Sequence, residues 1–190
     1  MKVTDNLLSK KITNNINIDM KILLAIIFNL TLLSVAIFSQ QGWYEQQSYI
    51  SNNCVYYIPS SSTGYMASDL GVIRKTTNSG VNWVIQQSGV SSNLKGIFFI
   101  NTLTGWTVGQ RVLNTTNGGS SWSVQYVSPF QMRSVHFINS QTGWVTADQG
   151  SIYATTDGGA NWFSQTSQST YNIYSVHFIN ALTGWIAGGE

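Results

Sequence analysis

The chain has 190 residues, a formal net charge of +2 and only 8% charged residues. The charge excess lies entirely within the first forty residues, so the rest is neutral and carries no basic stripe for nucleic acid. Cys54 is the single cysteine, which excludes an intrachain disulfide and reads as a small, buried apolar residue.

The first predicted element is an export segment. Lys10, Lys11 and Lys21 precede an almost wholly apolar run over residues 22–38, and Ser39-Gln40-Gln41 ends it. A charged region, an apolar region and a small polar break make a signal peptide. The run is at the short limit for a membrane span. An uncleaved anchor is the alternative, and the only way in which this chain would touch a membrane. Both readings put the remainder outside the cytoplasm, in the periplasm, at the cell surface or in the medium. Met20 is itself a suitable start, which makes residues 1–19 an upstream extension.

After residue 40 the tryptophans set the pattern. Trp43, Trp83, Trp122 and Trp162 recur at steps of 40, 39 and 40 residues, and Trp106, Trp144 and Trp185 at steps of 38 and 41. A period near forty signals a propeller or solenoid. Each repeat then reads as four short strands. The first strands are predicted over 54–58, 96–100, 132–138 and 175–179, all β-branched or aromatic. The second strands each follow Thr-Gly and begin with an aromatic: Tyr65, Trp106, Trp144 and Trp185. Asp69-Leu70-Gly71 and Asp148-Gln149-Gly150 are predicted hairpins. The matching hairpin around Gln110-Arg111 is two residues shorter. A third strand over 151–156 leads to Asp157-Gly158-Gly159, and a fourth begins at Trp162. Four antiparallel strands per repeat make one blade of an all-β propeller.

Thr155-Thr156-Asp157-Gly158-Gly159-Ala160-Asn161-Trp162 resembles the Asp-box of BNR-repeat propellers, Ser/Thr-x-Asp-x-Gly-x-x-Trp. The segments 76–83 and 115–122 match it with Asn78 and Asn117 in place of Asp. Together with the Phe-Ile-Asn…Thr-Gly-Trp segment, the repeat resembles the photosystem II assembly and stability factor family over about residues 43–190. The resemblance implies the propeller fold and a protein-binding role. That family is expected to engage partners through a basic patch, which this chain lacks. Similar repeats occur in many exported bacterial proteins.

The box also has a reading of its own. The Asp or Asn side chain is expected to accept hydrogen bonds from backbone N–H groups two or three residues on. Gly80, Gly119 and Gly159 supply left-handed backbone positions. Trp83, Trp122 and Trp162 are expected in the seams between blades, and Trp122→Ala is expected to cost about 3–5 kcal/mol. All nine residues are therefore read as structural.

The same weighing leaves no catalytic, metal-binding or cofactor-binding residue. His136 and His177 share a repeat position with Phe98 and Tyr56, which reads as an aromatic packing slot. Asp69 and Asp148 are read as turn residues, with Gln110 in the same slot. Sialidases share Asp-boxes and are similar in fold, which implies an arginine triad. Arg74, Arg111 and Arg133 fall at different repeat positions, so the triad is not formed.

Blades are predicted over about 48–87, 88–126 and 127–166, with a partial blade over 167–190. Trp43-Tyr44-Glu45-Gln46-Gln47-Ser48 is a further predicted fourth strand. The chain is accordingly read as a fragment of a ring of roughly six to eight blades. Three functional expectations follow. The first is an exported, non-enzymatic scaffold for a protein, cell-surface or polysaccharide partner. The second is a sialidase-like carbohydrate-active or carbohydrate-binding protein. The third is a photosystem assembly factor.

Overall fold

The computed structural model describes residues 50–189. The predicted export segment and the strand predicted at Trp43 lie outside the described residues. Within them the chain forms three four-stranded antiparallel sheets and one two-stranded sheet, with strand neighbours in sequence order. The first blade is β1 (Asn52–Tyr57), β2 (Gly64–Ser68), β3 (Val72–Thr76) and β4 (Val84–Gln87). The second is β5 (Gly96–Phe99), β6 (Gly105–Val108), β7 (Arg111–Thr115) and β8 (Ser123–Val127). The third is β9 (Met132–Phe137), β10 (Gly143–Ala147), β11 (Ser151–Thr155) and β12 (Phe163–Thr166). The fourth holds β13 (Asn172–Asn180) and β14 (Thr183–Gly189). This is a partial β-propeller. The first strands of successive blades pack side by side, while β4, β8 and β12 are largely exposed.

The core is divided among the seams between neighbouring blades. One cluster joins Tyr65, Ala67 and Ile73 to Leu94, Ile97 and Phe99. A second joins Trp106, Val108 and Val112 to Met132, Val135 and Phe137. A third joins Trp144 and Ile152 to Ile173 and Val176. At the centre of each seam the second-strand aromatic stacks on the first-strand ring of the next blade. Tyr65 lies on Phe99 with centroids 3.7 Å apart, Trp106 on Phe137 at 3.5 Å, and Trp144 on Phe178 at 3.6 Å. All three pairs are parallel to within 10°.

The same stack explains the Thr-Gly-aromatic motif. Phe99 pairs across the ladder with Gly105, Phe137 with Gly143 and Phe178 with Gly184. A Cβ at any of these glycines would sit 2.5 Å from the partner ring. Glycine is required there because the ring lies flat against its backbone, held from beyond by the preceding blade's aromatic.

Trp122 and Trp162 pack against the seam clusters, but the box tryptophans are only partly buried. Trp83, Trp122 and Trp162 stand just before their strands and are half-buried. Trp122 and Trp162 pack edge-on against Phe99 and Phe137 of their own blades, at 5.9 and 6.0 Å, and so lie at the margin of the seam. Trp83 meets Tyr57 in the same way. The fully buried large rings are instead those of the stacks, with the second-strand Tyr65, Trp106 and Trp144 only 0%, 1% and 5% exposed and the first-strand Phe99 and Phe137 1% and 2%. Trp185, at the same repeat position, is 59% exposed. No described ring stacks on it.

Candidate functional site

The strand order gives each blade two ends. The box turns and the loops between first and second strands share one end. The hairpins between second and third strands share the other with the links between blades.

At the box end each turn is organised by its leading threonine. Thr155 is fully buried, and its hydroxyl donates to Asp157 Oδ1 at 2.8 Å. The same oxygen accepts from the backbone N–H groups of Asp157 and Gly159. Asp157 Oδ1 then accepts from Asn161 N at 2.9 Å. The acceptor therefore reaches Asn161, four residues on and one beyond the expected range, while the Ala160 backbone, three residues on, adds a weaker contact. The two-residue and four-residue closures belong to the threonine hydroxyl. Thr76 and Thr115 repeat the arrangement with Asn78 and Asn117. The sequence pattern Ser/Thr-x-Asp held this signal in its first position, where a hydroxyl two residues before the acid can take both roles.

These turns also lock neighbouring blades. Tyr65 Oη and Gln86 Nε2 of the first blade donate to Gly118 C=O of the second, and Lys75 Nζ adds a bond of 2.9 Å. Trp106 Nε1 and Gln125 Nε2 make the same pair to Gly158 C=O of the third. A side chain at Gly119 or Gly159 would collide with Gln86 or Gln125. Both glycines also have positive φ, 82° and 93°, as does Gly80 at 88°. They therefore serve a backbone turn and a close approach between blades at once.

At the hairpin end, Leu70-Gly71 and Gln149-Gly150 each hold two consecutive positive φ angles. That is the geometry of a tight primed turn. Asn93 and Asn172, from the following blades, accept hydrogen bonds from Leu70 N and Gln149 N. Asp69 accepts from Asn53 at 2.7 Å and pairs with Lys95 of the second blade at 3.0 Å. These hydrogen bonds, from Asn53 first and then Lys95, hold its carboxyl below the ordinary value. Asp148 takes two bonds from Arg133, at 2.7 and 3.0 Å. The guanidinium lies 5.6 Å from the centroid of Tyr174, in the fourth blade. Asp69, Lys95, Arg133 and Asp148 are thus matched ion pairs that tie hairpins and blades together.

Along the first strands runs a row of rings. Tyr56 meets Phe98 at 5.0 Å, Phe98 meets His136 at 4.9 Å, and His136 meets His177 at 4.5 Å. Burial pushes the His136 pKa down, the neighbouring His177 adds to this, and a hydrogen bond with the Phe178 backbone opposes it. Cys54 is half-buried and its thiol pKa is raised, chiefly by burial, which is the opposite of nucleophile activation. Among the described residues no group of three or more His, Cys, Asp or Glu side chains converges.

No family model matches the chain, and no curated protein does. Solved structures do resemble it. One is YCF48 bound to D1 peptide, at 21% identity and a TM-score of 0.60, covering 68% of this chain and 44% of that one. Another is an ancestral GH74 enzyme, at 22% identity and a TM-score of 0.61, covering 71% of this chain and 21% of that one. A third is the GH74 enzyme of Niastella koreensis, at 14% identity and a TM-score of 0.61, covering 72% of this chain and 26% of that one. The chain thus spans less than half the length of each of these proteins, and what it shares with them is the β-propeller fold.

Proposed function

We propose that the chain is part of an exported, non-enzymatic β-propeller that binds a protein or cell-surface partner through loops at one end of its blades. The observation that carries this reading is the placement of the carboxylates. Asp69, Asp148 and Asp157 are the described ones, and each is committed to an ion pair or a turn. Asp157 lies at the opposite end of β11 from Asp148. A glycosidase needs one carboxyl free to protonate the leaving group and a second facing it across the substrate. The likeness to a propeller solved with a bound peptide supports the protein-binding alternative at the level of fold.

A carbohydrate-directed role is the second reading, and the likeness to two GH74 enzymes is what favours it. One experiment separates the two. The purified chain is incubated with a panel of polysaccharides and sialosides while released sugar is measured. The same preparation is then tested for binding to a peptide array and to those glycans. The scaffold reading expects no sugar release and saturable peptide binding. Release of sugar that Asp148→Asn abolishes would establish the enzymatic reading instead.

A further inference from the structure

The chain contains two histidines, 41 positions apart, and the fold sets them side by side. His136 is on β9 and His177 on β13, the innermost strands of consecutive blades, with ring centroids 4.5 Å apart. Their neighbours in the row, Tyr56 and Phe98, fill the same slot with rings that have no ligating nitrogen. We propose that His136 and His177 form a two-imidazole site for a divalent transition-metal ion across the seam between the third and fourth blades.

Geometry and chemistry support this. An ion about 2.0–2.1 Å from one nitrogen of each ring places the centroids about 4.5–5.2 Å apart for ligand angles between about 90° and 109°. The observed separation falls at the right-angled end of that span. Imidazole suits Zn²⁺, Ni²⁺ and Cu²⁺, whereas carboxylate-poor surroundings disfavour Mg²⁺ and Ca²⁺. His177 is exposed, so the ion can enter from solvent and complete its shell with water.

The probe is Ni²⁺ alone, added to the untagged full chain in a Cys54→Ser background that removes the one thiol. Binding is measured by calorimetry and by retention on a Ni²⁺ column, with the melting temperature followed in parallel. The variants are His136→Phe and His177→Phe. Phe98 already occupies this slot in the second blade, so folding is expected to survive, and the unliganded melting curve checks it. The proposal expects one Ni²⁺ per chain, a metal-dependent rise in melting temperature, and at least a tenfold loss of affinity in either variant. A column run-through by the parent protein would overturn it. So would binding that persists in the double variant, or a stoichiometry of one ion per two chains.

Discussion

Thr155 governs its turn through a single hydroxyl. It accepts two backbone N–H groups and donates to Asp157 from a fully buried position. Thr155→Val keeps the shape and leaves buried donors without a partner, so it should cost about 1–3 kcal/mol. Thr155→Ser should recover most of that loss, and urea unfolding measures both. The acid it holds has a pH signature. Hydrogen bonds from Asn161, then from Thr155, lower the Asp157 pKa from 3.8 to about 2. The folded state therefore prefers the ionised form. The resulting stabilisation is complete above the unfolded pKa and is lost as pH falls from about 4 towards 2. Asp157→Asn, the residue found at Asn78 and Asn117, should flatten this part of the stability profile in acid unfolding. Leu70 shows strain of another kind. It is exposed and holds φ at 57° in its turn. Leu70→Asn should stabilise the protein by about 0.5–1 kcal/mol, because Asn tolerates the left-handed region that a branched apolar chain resists.

At the scale of the strand, a first-strand ring and a second-strand glycine form one unit. Gly143→Ala puts a methyl group 2.5 Å from Phe137, a ring already stacked on Trp106. The ring cannot retreat, so the substitution should cost about 1–3 kcal/mol as overpacking. Gly189→Ala, where nothing lies within 4 Å, should change the melting temperature little. These units were only partly legible in the sequence. Alternating β-branched and aromatic runs with Gly-containing turns placed the strands to within a few residues, because pattern and turn chemistry are local. Which tryptophan fills the core was not local. Trp106 and Trp122 share one repeat, yet Trp106 is buried and Trp122 is marginal, since the stack is completed by Phe137 from the next blade. The threonine hub was missed for a related reason. Its sequence signal is one hydroxyl, and only its burial and three bonds distinguish it from other turn threonines.

For the described blades, stability is a series of blade-to-blade seams, each holding a ring stack and hairpin-end contacts to the next blade, with a box carbonyl added in the first two. The loss from breaking a seam should therefore depend on position along the series. Site function was less legible than fold because the side chains with chemistry, Asp69, Asp148, Lys95 and Arg133, are spent on tying hairpins to their own or the next blade. The direct test compares Trp106→Ala with Trp185→Ala by equilibrium unfolding in urea. The two residues share a repeat position, and among the described residues only the first has a stacking partner. Trp106→Ala should cost about 3–5 kcal/mol and Trp185→Ala less than about 1 kcal/mol. Equal losses, or a larger loss at Trp185, would contradict the seam as the source of stability.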